Sequence, residues 1–383
     1  MNDAPISAEA KLQPGRSLRR DLIWQTWSLV SLAILVFAVA AYFMVFSRMV
    51  DELAASALHK GAHVIRAQVE ALFSQVDQIA YDAQEWGRNH TFTIDDLGRF
   101  NRLFIPVLSR HPRISSLLFA EDSGREFLLL RMPNGEWRNR ITDGERWRNQ
   151  QYWRKWSESY TLLGEEWRDS DYDPRRQAWY QGALRLKQEK ELYWSDPYSF
   201  STTQEPGMTA STHWLDRVNE RLYVVALDVK LLDLSRFTRD MAISPNGRVA
   251  IMLADGRLLG LPRHPRLQTD ADVNASVLKT ADENGFTPLA KGIEQWGKTG
   301  KPINQVLFFQ ADDENWVGHF LPVHLHNQQL IIAVVAPRSD FIPLSVRDSL
   351  VFFILFIGVL SLAFFVAARF ARQVIRPLER LVL

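Results

Sequence analysis

The 383-residue sequence contains no cysteine. That excludes disulfide staples, thiolate metal sites and cysteine nucleophiles, and suits a bacterial chain that passes through an oxidising compartment. Neither sign of charge is in excess: 45 Lys and Arg stand against 44 Asp and Glu, a formal net charge of +1. No global field is left to attract nucleic acid, although Arg and Trp interleave in WRNRITDGERWRNQQYWRKW from residue 137. Catalytic signatures are missing too. There is no GxxxxGK[ST] loop, no GxGxxG after a strand, no GxSxG elbow and no HExxH, so no catalytic residue, cofactor or metal is assigned. His59 and His63 have a two-ligand helical spacing with no third ligand nearby, and His324 and His326 share a strand face not far from His319. Both sets read as surface histidines.

What the chain does have is two long apolar runs. Leu22 to Phe46 carries no charge, and at ~1.5 Å per residue it is long enough to cross a ~30 Å hydrocarbon core. Its length, and a following AYFMVFSRM without a small-x-small site, distinguish it from a secretory signal. Ser349 to Ala368 reads as a second span. Arginines crowd the outer flanks, in GRSLRRD and RFARQVIRPLER, whereas Asp51, Glu52, Asp340 and Asp348 lie at the inner ends. Both termini are therefore expected in the cytoplasm, residues 1–21 as a tail, with residues 47–348 held outside a bacterial inner membrane.

The intervening segment starts as a helix from Met49 to Asn89, with Leu53, Ala57, Val64, Ala67, Ala71, Phe73, Val76 and Ile79 near helical spacing. A second helix follows, with Leu97, Phe100, Phe104 and Leu108 on one side. The period then changes to two: Ile114–Ala120, Arg125–Leu130 and Glu136–Ile141, punctuated by Asp-Ser-Gly and Pro-Asn-Gly, predict an antiparallel meander. Between Thr142 and Leu192, RNQQYWRKWSES and RQAWYQGALRLKQ are predicted helical. Strands resume at LYWSDPYSF, GMTASTHWLD and RLYVVALDV, before a short helix at KLLDLSRFTRDM. A smaller alternation begins at GRVAIMLADGRLLGLPRHP, followed by helical NASVLKTADEN and PLAKGIEQW, and closes with INQVLFFQ, NWVGHFLPVH and QQLIIAVVAP. The fold class expected is α+β: one long helix carrying two antiparallel-sheet modules, flanked by two transmembrane helices.

That order, with DYDPRRQAWYQGAL, YWSDPYSF, RLYVVALDV and MLADGRLLGLPRHP in sequence, resembles the double Cache extracytoplasmic sensor domain of bacterial transmembrane receptors, built from two PAS-like modules. The resemblance implies a distal module near 90–238 and a membrane-proximal module near 239–337. After the second span, Ile375, Pro377, Leu378 and Leu381 resemble the opening of a HAMP linker, truncated here at residues 369–383. A receptor of this kind is expected to work as a homodimer in the lipid bilayer, signalling to a cytoplasmic output such as a diguanylate cyclase, histidine kinase, nucleotide cyclase, phosphatase or chemotaxis helix.

Aromatic walls with a few convergent polar groups suit a small-molecule pocket. Tyr152, Trp153, Trp156, Tyr172, Trp179, Tyr180 and Tyr198 supply candidate walls, and Arg175, Arg176, Asp196 and Asp228 candidate polar groups. Amino-acid-binding double Cache domains carry a pattern like Y-D-P-R-x-R-P-W-Y, then P-Y-x-D and a strand-end Asp. Tyr172, Trp179, Tyr180, Tyr198 and Asp228 match it, but Gln177 falls where the carboxylate-gripping arginine belongs, Ala178 on the proline and Phe200 on the acid. The resemblance thus implies a ligand site at Trp153, Tyr172, Arg175, Arg176, Gln177, Trp179, Tyr180, Tyr198 and Asp228, tuned away from ordinary α-amino acids. The rival expectation is a tryptophan-rich surface that docks a periplasmic protein.

Overall fold

A computed structural model describes residues 18–342 and helical positions 354, 357, 358, 361 and 365. The second apolar run lies almost wholly outside the described residues, and the HAMP-like end entirely so. Residues divide into two compact units, Met1–Leu53 with Ile342–Leu383, and Ala54–Phe341. Helix α1, Leu18–Arg88, runs through the first apolar run. Among the described residues no helix is long and apolar enough to cross a membrane.

Within Ala54–Phe341, α1 buries one stripe: Ala54, Leu58, Ala62, Ile65, Val69, Leu72, Val76, Ile79 and Ala83 recur every three or four residues. This is a different stripe from the one expected over its first half. Leu53 and Val64 are exposed at 46% and 58%, and Ala57, Ala67 and Ala71 are exposed as well. Two apolar stripes lie on this helix, and small Ala and Gly residues decide which one seats. A Cβ on Gly61 would come within 2.4 Å of Ile243, so the close approach needs glycine.

Helix α2, Leu97–Arg110, is capped by Asp96, which accepts from the Arg99 N–H, and it buries Phe100, Phe104 and Leu108. The distal sheet follows. Its strands are β1 Ile114–Glu121, β2 Glu126–Arg131, β3 Trp137–Thr142, β4 Gln150–Trp156, β5 Leu162–Asp169, β6 Tyr193–Trp194, β7 Tyr198–Ser199, β8 Pro206–Asp216 and β9 Arg221–Lys230. They run antiparallel in the order β5-β4-β3-β2-β1-β9-β8-β6, with β7 also on β8. The short helices α3, Gly144–Trp147, and α4, Ala178–Leu184, lie between strands, and α5, Leu231–Asp240, leaves the sheet. The stretch RNQQYWRKWSES is therefore not helical; it is β4, paired with β3 and with an unexpected β5. Gln151 and Trp153 are buried while Tyr152 and Arg154 are not, a period of two that polar composition masked.

The second sheet contains β10 Arg248–Leu253, β11 Leu258–Gly260, β12 Val306–Ala311, β13 Glu314–Leu325 and β14 Gln328–Pro337, in antiparallel order β11-β10-β14-β13-β12, with α6 Asp270–Ser276 and α7 Thr287–Lys298 between β11 and β12. Helix α6 starts at Asp270 and stops at Ser276, so only the first three residues of NASVLKTADEN belong to it. Trp296 of α7 stacks on Phe320 at 5.0 Å on one face of this sheet. On the other, His319 is fully buried, its Nε2 3.2 Å from Nδ1 of His59, and its ring 6.1 Å from that of His63. His319 is thus a core group and brings a third imidazole to the α1 pair, although among the described residues no group is arranged to hold a metal ion. Burial, and then His59 and His63, push its pKa down to about 4.

The two sheets meet at a polar lock. Asn327, in the β13–β14 turn, accepts from Trp194 N–H at 2.8 Å and donates to Trp194 C=O at 2.8 Å. Asp77 of α1 accepts from Trp194 Nε1 at 3.0 Å and from His326 Nε2 at 3.2 Å. The hydrogen bond to Asp77 raises the His326 pKa. A raised pKa stabilises the fold fully below the unfolded value of ~6.5, and that contribution fades as pH rises through the folded value. Replacing Asn327 by Ala is expected to cost about 1 to 2 kcal/mol, because the Trp194 N–H loses its side-chain acceptor while the Trp194 C=O still accepts from Gln328 Nε2 at 3.3 Å. Thermal unfolding of Asn327→Ala checks this, and an unchanged melting temperature would contradict it.

Candidate functional site

Alternation along the distal strands gives the sheet two faces. Phe119 and Phe127 point to α2, where both pack on Phe100. Leu118, Leu128, Leu130, Val224 and Ala226 point the other way and receive Trp179, Tyr180 and Ala183 of α4. The chain reaches α4 through a single turn: Asp173 accepts from Arg175 N–H at 2.9 Å, Pro174 opens a 3-10 turn to Arg176, and extended Gln177 breaks it before Ala178. Gly182 is required, because a Cβ there would lie 1.9 Å from Tyr193 Cε1. Ser211 Oγ then donates to Trp179 C=O at 2.8 Å.

Beside α4 the same face turns polar. Asp228 of β9 stands opposite Thr209 of β8 and Ser116 of β1, and both hydroxyls donate to its carboxylate, at 2.6 Å and 2.5 Å. A register shift between Ile114 and Ser116 lets Ser115 donate to Asp228 C=O at 3.2 Å. Tyr198 OH lies 2.7 Å from Thr209 Oγ1, which extends the chain of hydroxyls. Burial dominates the electrostatics, and the Asp228 pKa is pushed up to about 6.

Opposite stands a buried ion pair, Arg140–Glu126, at 3.0 Å. Tyr172 OH donates to Glu126 at 2.7 Å, and the Arg140 guanidinium lies 3.9 Å from the Tyr172 ring centre. Arg140 Nη1 donates to Ser201 and Thr202 at 3.2 Å and 2.6 Å, which ties the β7–β8 turn over the site. Burial works against the Arg140 charge, but Glu126 outweighs it and the pKa stands above the ordinary value. Asp228, Ser116, Tyr198, Arg140 and Tyr172, with Gln177, Trp179, Phe200 and Lys230, line a cavity of about 20 Å³, room for one water.

No family model matches the chain, and no curated protein matches it. Solved structures do. The ligand-binding domain of the Campylobacter jejuni chemoreceptor Tlp3 in complex with 4-methylisoleucine gives a TM-score of 0.51 at 12% identity, covering 77% of this chain and 94% of that chain. The same domain in complex with L-valine gives 0.50 at 12% identity, over 77% and 97%. The sensory domain of Tlp3 gives 0.50 at 12% identity, over 77% and 98%. The chain has the double Cache fold.

In this double Cache chain the residues expected at the site scatter. Tyr172, Gln177, Trp179, Tyr198 and Asp228 line the cavity. Arg175 turns away to pair with Asp173 at 2.8 Å, Arg176 is exposed, and Tyr180 packs beneath Trp179 with its pKa pushed up to about 12 by burial. Trp153 lines a neighbouring hollow. Among the wider set of walls, Tyr152 stacks against Trp167 on the opposite side of the sheet edge, Trp156 donates to Asn139, and Asp196 accepts from Gln328. Sequence reasoning missed Arg140, Glu126, Ser116 and Thr209. Their signal was a charge of each sign at inward positions of adjacent strands, Glu126 and Arg140, where Leu128 and Leu130 are the ordinary occupants.

An ionised Asp228 destabilises the fold. Its folded pKa lies above the unfolded 3.8, so stability falls as pH rises between 3.8 and about 6. Asp228→Asn is expected to remove that slope and to raise stability at pH 7.5 by up to about 3 kcal/mol. Thermal unfolding across pH 4 to 8 reads both; a variant no more stable than the parent at pH 7.5, with the slope intact, would contradict the assignment.

Proposed function

We propose that this chain is the sensory part of a bacterial inner-membrane receptor, in which a small molecule binds at Asp228 beneath α4 of the distal module. The observation that carries this reading is Asp228 itself: a buried, desolvated carboxylate at a cavity, held by two hydroxyls and with its pKa pushed up to about 6. The solved double Cache neighbours bind 4-methylisoleucine and L-valine. The ligand here differs in class. Gln177 offers an amide where a carboxylate clamp belongs, and every N–H group of Arg140 faces Glu126, Ser201 or Thr202. A small amine without an α-carboxylate fits this balance.

The cavity has room for a water and not for an amine, so binding requires the Phe200–Glu205 turn to lift. Phe200 fills space against Tyr198 at 5.3 Å and against Gly207, where a Cβ would come within 1.9 Å of its ring. Opening of this turn on ligand entry is a population shift of a covering segment. The signal is then read through the second apolar run and a HAMP-type linker to a cytoplasmic output. The membrane setting is supported by the uncharged runs and by exposed Leu32, Val36, Phe37, Ile354 and Phe365. A homodimer is supported by the unseated α1 stripe of Leu53, Ala57 and Val64. The reading in which a periplasmic protein docks instead draws on edge strand β5, with Leu162, Leu163 and Trp167 exposed.

Thermal-shift titration of the 383-residue chain with a panel of small amines and α-amino acids separates these. A saturable rise for an amine, lost in Asp228→Asn, is the expected result. No rise for any member, alongside capture of a protein through β5, would overturn it. The double variant Gln177→Arg, Phe200→Asp is expected to turn the response toward α-amino acids by at least about tenfold, through one charge-assisted bond at each end.

A further inference from the structure

Next to the Asp228 cavity, over β2 to β5, the same sheet face opens into a hollow of about 260 Å³. Its charge is one-sided. Arg131, Arg138, Arg168 and Lys230 line it, against the single carboxylate of Glu205, which Lys230 already holds at 2.6 Å. Glu166 pairs with Arg168 at its exposed side. Among the described residues no carboxylate pairs with Arg131 or Arg138, and the nearby Glu136 is held by Lys155 at 3.1 Å.

Two hydrogen-bond donors at this hollow are buried and unused: Arg138 Nε and Trp153 Nε1 have no acceptor. Trp153 is only 7% exposed. Native folds seldom leave such groups unpaired, because water has been surrendered and nothing replaces it. The two belong together. Arg138 on β3 pairs with Lys155, and Arg140 with Trp153 on β4, so Arg138 and Trp153 are diagonal neighbours on one face. Arg168 comes from β5 to lie 4.6 Å from the Trp153 ring centre.

We propose that this hollow binds a small oxyanion, a carboxylate or a phosphate, through Arg138, Arg168 and Trp153 Nε1. A guanidinium fork matches either group, and the indole N–H supplies a further donor to the same oxygens. The volume is ample for an inorganic phosphate or a short dicarboxylate with accompanying waters. The site adjoins the Asp228 cavity, sharing Leu130, Thr202, Thr203 and Lys230 with it, but its donors are other residues and it does not rest on the amine reading.

Isothermal titration of the 383-residue chain with inorganic phosphate and with succinate, at low and high salt, tests it. Saturable binding of one of them is expected, weakening with salt. Phosphate alone assigns the phosphate class, and succinate alone the carboxylate class. Arg138→Gln is expected to weaken that binding about tenfold, and Trp153→Phe, which replaces the indole by a smaller ring without an N–H, roughly several-fold. Asp228→Asn is expected to leave the affinity within about twofold, since it lies outside the site. No saturable binding of either anion overturns the proposal, and so does binding that Arg138→Gln and Trp153→Phe both leave unchanged.

Discussion

The carboxylate of Asp77 ties both modules to one helix. One oxygen accepts from Trp194 of the distal sheet and the other from His326 of the proximal sheet, while Asn327 closes the remaining gap on the Trp194 backbone. Hydrophobic packing along α1 is non-directional and would tolerate sliding. Four short polar contacts at one level of the helix fix the register instead. Rearrangement around β6 and β7 is therefore felt at α1 and at the β13–β14 turn together, because Trp194 belongs to the strand next to the covered cavity.

A second constraint is the division of the distal sheet into a dry face and a face that is half apolar and half charged. Phe119 and Phe127 on the dry face anchor α2 through Phe100. The other face pays for its charges. Asp228 is buried at a cost, Arg140 and Glu126 satisfy each other, and Arg138 with Trp153 keep donors idle. A sheet built for stability alone would replace these with leucine, as neighbouring Leu118, Leu128 and Leu130 illustrate. Unfavourable burial of this kind is concentrated on one face, the one on which the ligand sites are proposed.

Much of this was legible in the sequence, and the failures have physical causes. The helix–meander–helix order and the strands around Asp228 follow from period and turn chemistry, and Gly256, between β10 and β11, takes a positive φ of 93°. The β4–β5 pair was hidden because aromatic and cationic residues occupy both faces of β4, erasing the apolar alternation. The phase of α1 was misjudged because Ala and Leu form two stripes and only tertiary packing selects one. At the site, a family-like spacing located Tyr172, Trp179, Tyr198 and Asp228, whereas Arg175 and Arg176 were drawn off by Asp173 and solvent. Arg140 sits 32 residues from Tyr172 in sequence and meets it through strand register, which a linear motif does not encode.

The central claim is that a ligand at Asp228 changes the Phe200–Glu205 turn that closes the cavity, and that the Asp77 lock carries the change to α1. Hydrogen–deuterium exchange on the full chain, with and without a stabilising amine, reads this directly. Altered exchange is predicted at residues 200–205 and at strand β9, together with altered exchange in α1 around Asp77 and in the β13–β14 turn. Ligand-dependent protection confined to edge strand β5, with the turn and the lock unmoved, would contradict it.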